Sequence, residues 1–164
     1  SSYDTLIASW FNGKSIKSLR YGENPHQKGS FIGNLDEIFT QLNGKELSYN
    51  NLLDIDACLG LIREFDSPTI AIIKHNNPCG LASDDKLSEA WQKALAGDPV
   101  SAFGGVIICN KNIDLETAKQ MDSLFFEVLI APDFNSEALE LLKSKKNRVI
   151  LKFKSIPQNQ SLSR

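Results

Sequence analysis

An α/β fold, with a mostly parallel sheet between two layers of helices, is what this sequence predicts. Two observations carry that prediction. Short runs of branched and aromatic residues alternate with amphipathic segments of helical period, and the runs are apolar at nearly every position rather than at every second one. Strands of that kind are buried on both faces, which requires helices above and below the sheet.

The elements follow in order. Leu52 to Phe65, LLDIDACLGLIREF, reads as a helix apolar on more than one side, so other elements must cover it. It leads into a strand, Ile70 to Ile73, that ends in Lys74 and His75, with Pro78 and Gly80 predicting a turn soon after. From Ser88 to Ala96 the period sets Leu87, Ala90, Trp91, Ala94 and Leu95 on one stripe, with Asp84 or Asp85 as the expected cap and Gly97 as the stop. Strand GVIIC (Gly105 to Cys109) precedes a helix that follows Asp114. Strand FEVLIA (Phe126 to Ala131) precedes a helix that follows Asn135, whose end is loaded by Lys143, Lys145 and Lys146. VILKF, Val149 to Phe153, is the last strand. Regular alternation of helix and strand favours parallel crossovers, and in parallel sheets ligands gather beyond the carboxyl ends of the strands. Lys74 and His75 occupy such an end, and Pro132, after FEVLIA, occupies another.

A chain of 164 residues with 41% hydrophobic content suits one domain with a substantial core. Its first dozen residues place Ile7, Trp10 and Phe11 at helical spacing, and its last ten are polar and turn-rich, as expected of a flexible tail. The formal net charge of −2 gives no general attraction to nucleic acid or anionic membrane, so a phosphate would need a local site and a small-molecule partner is expected. Cys58, Cys79 and Cys109 are odd in number and far apart, which argues for a reducing compartment, the cytoplasm, rather than a disulfide framework. No apolar run approaches the ~20 residues that cross a bilayer.

Several residues have the chemistry of a site. Lys74 and His75 are neighbours on a strand, so their side chains reach one ligand only if the strand breaks there; Asn76, Asn77 and Pro78 supply the break. A histidine exchanges protons near neutrality, and a partly desolvated lysine stabilises developing negative charge or protonates a leaving group. The pair fits acyl or formyl transfer to a weak amine; alternatively, the lysine snorkels and the histidine is satisfied by a backbone carbonyl. RYGENPHQ, Arg20 to Gln27, is too polar for a core element and offers Arg20 for an anion and Tyr21 for stacking, or forms an ordinary surface loop. SAFGG, Ser101 to Gly105, brings two glycines to a strand entry, either as a tight turn or as a close approach to ligand. Glu127 interrupts an apolar strand and needs a partner if buried, or solvent if its strand is at an edge.

A zinc site is not expected. Pro78-Cys79 resembles the Pro-Cys of zinc deaminases, but Ala82 stands where their second cysteine would be, and neither His26 nor His75 is followed two residues later by glutamate.

Taken together, RYGENPHQ, LSYNNLLDIDAC, KHNNPCG, DPVSAFGG and EVLIAP resemble, in order and spacing, the AICAR formyltransferase domain of the bifunctional purine biosynthesis family, over about Leu19 to Leu151. The resemblance implies transfer of a formyl group from 10-formyltetrahydrofolate, as cosubstrate, to the 5-amino group of AICAR in the synthesis of IMP. It implies His75 as proton acceptor and Lys74 as transition-state stabiliser. Arg20, Tyr21, Asn77, Gly104 and Glu127 are implied as substrate-binding residues, with no metal. The implied fold is the first of two cytidine deaminase-like units: residues 1–18 connect to an absent cyclohydrolase domain, 19–153 form the unit, and 154–164 are tail. Remaining contacts would come from the second unit and the other subunit of a homodimer, so little turnover is expected of this chain alone. A non-catalytic module that binds AICAR or IMP is the alternative.

Overall fold

A computed structural model of the protein describes residues 35–154. The expectations for Arg20, Tyr21, the amino-terminal segment and the carboxyl-terminal tail therefore lie outside the described residues. Among the described residues, after a helical segment at 35–38, the elements follow in the order β1 (Phe39–Asn43), α1 (Tyr49–Ile62), β2 (Thr69–Lys74), β3 (Asn77–Ser83), α2 (Leu87–Gly97), α3 (Pro99–Ala102), β4 (Gly105–Cys109), α4 (Leu115–Asp122), β5 (Phe126–Ala131), α5 (Ser136–Leu142) and β6 (Val149–Phe153).

Alternation along the strands divides the interior into two cores. Ala71, Ile73, Val106, Ile108, Val128 and Ile130 face one side, where they pack against Leu52, Ile55, Leu59 and Ile62 of α1. Ile70, Ile72, Ile107, Leu129 and Ile150 face the other, against Trp91 and Ala94 of α2, Met121 of α4 and Leu142 of α5. The result is the three-layer α/β/α arrangement that the double-sided apolar runs predict. Full burial of each of these branched side chains contributes about 1.5–3 kcal/mol, so the central strands anchor both layers at once.

Strand order is β1-β6-β5-β4-β2-β3, and the sheet is mixed. β4, β5 and β6 are parallel, while β1 pairs antiparallel with β6 and β2 pairs antiparallel with both β3 and β4. At β2 the departure from uniform parallel pairing has one cause. Pro78 and Gly80 lie not in a turn but in β3, an edge strand that pairs back on β2 with an irregularity opposite Ile72 and Ile73. Proline is tolerated there because an edge strand leaves one row of its backbone donors unpaired. Since β3 reverses the chain before α2 begins, β3–α2–β4 is the crossover unit, and β2 lies between its strands running the other way. At the far end of β2, Asn110 clamps the sheet: its Oδ1 accepts from the Thr69 N–H at 2.8 Å, and its Nδ2 donates to the carbonyls of Ser67 and Phe65.

Helix ends depart from the sequence expectation by a few residues. α1 begins before Leu52 because Ser48 and Asn51 form a reciprocal capping box, and it ends at Ile62 rather than Phe65. At α2 the cap position falls on Lys86, not on Asp84 or Asp85; Asp84 instead accepts from the Lys86 N–H and pairs with Lys93 at 2.6 Å. Asp114 and Asn135 occupy the cap positions expected of them.

Gly80 is where α2 meets β3. A Cβ at this position would stand 2.2 Å from the Ala94 carbonyl oxygen, far inside contact distance, so only glycine lets the helix seat on the hairpin. Gly80→Ala is expected to lower stability by about 1–3 kcal/mol through the forced separation of α2 from the sheet. Urea unfolding of the two proteins measures it, and coincident midpoints would show that the contact relaxes freely.

Candidate active site

The chain leaves β2 through a two-residue reversal. His75 and Asn76 form it, with φ of 52° and 66°, and Lys74 pairs with Asn77 across the hairpin. Left-handed backbone suits the right-handed twist of a hairpin, but for residues other than glycine it costs about 1–2 kcal/mol each. Asp54 of α1 holds this turn: its Oδ1 accepts from the Asn76 N–H at 2.7 Å, and the carboxylate interacts with the His75 backbone N–H as well. Asn77 adds a second tie by donating from Nδ2 to the His75 carbonyl at 3.2 Å. Asp54 is 9% exposed, and burial pushes its carboxyl above the usual range, against the opposing pull of the Asn76 N–H and of the nearby His75.

Lys74 turns the other way. Its ammonium donates to the Phe103 carbonyl, at the turn between α3 and β4. Asp98 caps α3 by accepting from the Ser101 N–H at 3.1 Å, Pro99 starts the helix, and the chain then leaves through Gly104 at φ 79°. The Gly104 N–H donates to the Phe125 carbonyl at 2.9 Å, joining this turn to the entry of β5. A Cβ on Gly104 would lie 3.5 Å from Lys74 Nζ and 3.6 Å from the Phe125 ring. The Phe103 and Phe125 rings meet edge to face, 5.1 Å apart, and are 48% and 54% exposed, so an aromatic wall stands open to solvent beside the lysine.

Glu127 is on the same edge of the sheet, in a central strand. The pairing of β4 with β5 skips it: Gly105 faces Phe126 and Val106 faces Val128. This bulge keeps Phe126 in one core and Val128 in the other while the carboxylate between them escapes to the surface, where Lys45 pairs with it at 3.4 Å. Lys45 and Glu127 border an open cleft of about 620 Å³ that also includes Phe125, Lys145, Lys146 and Arg148. Arg148 is committed elsewhere, buried against Asp122 at 2.7 Å and over the Phe126 ring.

The structure thus gathers Lys74, His75, Asn77 and Gly104, with Glu127 one strand beyond β4. The expectation that Pro132 shares an edge with Lys74 is corrected. Because β2 runs antiparallel to β4, the carboxyl end of β2 lies at the amino ends of β4 and β5, and Pro132 is at the opposite edge. Asp54 and the aromatic wall were not singled out as site residues from the sequence. A signal for Asp54 was present, since helical period puts it on one stripe with Asn51, Ile55 and Cys58, where a carboxylate needs a partner. Cys58 and Cys109 are buried and Cys79 is half-buried, and burial raises all three thiols. Among the described residues no group of three or more His, Cys, Asp or Glu is placed to hold a metal ion, and no helix is long and apolar enough to cross a membrane.

In chemical terms, a three-layer α/β unit that presents a lysine and a histidine from one reversal beside a glycine turn can accept a proton and stabilise an adjacent negative charge. The family described as AICARFT/IMPCHase bienzyme matches residues 1–164, and the chain belongs to it. Curated relatives carry the name bifunctional purine biosynthesis protein PurH. The chain is similar to that of Bacteroides thetaiotaomicron at 54% identity, over 98% of its own length and 34% of the relative's. It is similar to that of Halalkalibacterium halodurans at 47%, over 100% and 36%, and to that of Caldicellulosiruptor saccharolyticus at 48%, over 85% and 29%. The chain therefore spans about a third of the length of these relatives. A solved structure of a putative formate dehydrogenase accessory protein from Desulfotalea psychrophila aligns over 55% of this chain and 46% of that one with a TM-score of 0.42 and 10% identity, too slight a likeness to inform fold or function.

The raised carboxyl of Asp54 sets a pH dependence. Its folded form holds a proton more tightly than the unfolded chain does, so the stability it contributes is fully present below about pH 3.8 and is lost as pH rises through the folded value. Asp54→Asn keeps an acceptor but does not titrate. Relative to that variant, wild type is expected to lose stability as pH climbs from the model-peptide range toward neutrality and then to level off. Unfolding midpoints of both proteins across this range test it, and parallel curves would mean that the carboxylate is not desolvated.

Proposed function

We propose that this chain supplies the Lys74–His75 portion of a formyltransferase centre in purine biosynthesis, moving a formyl group from 10-formyltetrahydrofolate to the 5-amino group of AICAR. What supports the reading above all is one placement within a chain of this family: Lys74 reaches the Gly104 turn, and His75 follows it at the same end of the sheet.

The chemistry fits these residues. The amine of AICAR is a weak nucleophile because its lone pair is delocalised into the ring and its carboxamide, so attack must coincide with proton removal. His75, exposed at the reversal, accepts that proton as the new C–N bond forms to the formyl carbon. The Lys74 ammonium stabilises the negative charge that collects on the formyl oxygen of the tetrahedral intermediate. Breaking the bond to the folate nitrogen then requires a proton there, which His75 or Lys74 can return. Gly104, Asn77 and Glu127 would meet the nucleotide, together with Arg20 and Tyr21. On this reading the parts of the protein beyond this chain and a second subunit complete the folate site.

In the full-length protein, His75→Ala is expected to lower kcat by about 10²- to 10⁴-fold with a much smaller change in KM for AICAR. Steady-state formyl transfer with both substrates varied provides the check. A raised KM with kcat intact would assign the residue to binding alone and favour a non-catalytic nucleotide module.

A further inference from the structure

We infer that Asp54, on α1, is the positioning residue for His75: through its bond to the Asn76 N–H it fixes the left-handed reversal that aims the imidazole at the reacting amine. This rests on the formyltransferase reading and adds to it a residue that never touches substrate.

Three observations lead to it. His75 is exposed, so packing does little to orient its ring, and the backbone at φ 52° decides where the side chain starts from. Two consecutive residues other than glycine are left-handed, a conformation that persists only where the surroundings over-determine it. The group that over-determines it comes from a different layer of the fold: Asp54 reaches the turn from α1, 22 residues away in sequence, and accepts from the Asn76 N–H at 2.7 Å. Burying a carboxylate on the apolar stripe of a helix is costly, and Ile55 and Cys58 beside it are fully buried. The placement is explained if the carboxylate transmits the rigidity of the core to the loop, so that the ring of His75 is held where proton transfer and attack coincide.

The consequence is a particular kinetic signature. Loss of the acceptor frees the reversal without removing any group that binds nucleotide, so the rate constant should fall and the binding constant should not. Asn supplies an amide oxygen in the place of Oδ1 and should preserve the geometry.

The experiment uses the full-length protein with wild type, Asp54→Ala, Asp54→Asn and His75→Ala in parallel. The first readouts are kcat and KM for formyl transfer, normalised to folded protein by circular dichroism. Asp54→Ala is expected to lower kcat about a hundredfold, the scale of a small misplacement of a reacting group, with KM for AICAR within about threefold of wild type. Asp54→Asn is expected to recover most of that loss. Wild-type kcat in folded Asp54→Ala would overturn the positioning role, and so would an Asp54→Asn variant as impaired as the alanine. If His75→Ala itself keeps wild-type kcat, the catalytic reading of His75 fails and the inference with it. A deficit in His75→Ala without one in Asp54→Ala defeats the inference alone.

Discussion

The reversal at His75 and Asn76 is the constraint on which the rest of this structure depends. A chain that crossed back through a helix at once would leave β2 parallel to the strand that follows it. Instead β3 folds back on β2, α2 starts from the far end, and β2 is left antiparallel to β4. Three consequences follow from that single geometry. Lys74 arrives at the amino ends of β4 and β5, the Phe103 carbonyl comes within reach of its ammonium, and the glycine turn at Gly104 comes to lie beside it.

The β2–β3 hairpin is in turn secured from both layers of the fold. On one side α1 delivers Asp54 to the Asn76 N–H; on the other, α2 sits so close to the hairpin that its Ala94 carbonyl leaves no room for a side chain at Gly80.

The candidate site is open to solvent. Phe103 and Phe125 expose an edge-to-face pair next to Lys74, and the cleft beside Glu127 is bounded by lysines. An aromatic wall and a cationic border suit a planar, negatively charged ligand, in keeping with the nucleotide chemistry proposed. The bulge at Glu127 shows how a charged residue is accommodated in a strand whose neighbours are wholly buried. One extra residue turns it out of the sheet, at the edge where Lys74 also lies.

By itself the sequence determined the layers and pointed to candidate reactive groups at one strand exit. Apolar runs such as IAII and GVIIC, unbroken on both faces, demand helices on both sides, and the period of SEAWQKALA marks the stripe that α2 buries. Lys74 and His75 were legible as candidate reactive groups because a histidine exchanges protons near neutrality, a lysine offsets negative charge, and Asn76, Asn77 and Pro78 after them break the strand, and the glycines of SAFGG were legible as a turn. Strand direction was not, because periodicity is a property of a few neighbouring residues, whereas direction depends on which distant strand a segment pairs with. For the same reason NPCGLAS read as punctuation: an edge strand with proline and glycine has little local signature, and only its pairing with β2 makes it a strand. Asp54 was visible as a carboxylate on an apolar stripe, but its partner, a backbone N–H in another layer, exists only once α1 and the hairpin are packed together. Tertiary structure alone decided the order and polarity of the sheet and the residues brought to its edge, because those are set by contacts between parts of the chain that no local pattern connects.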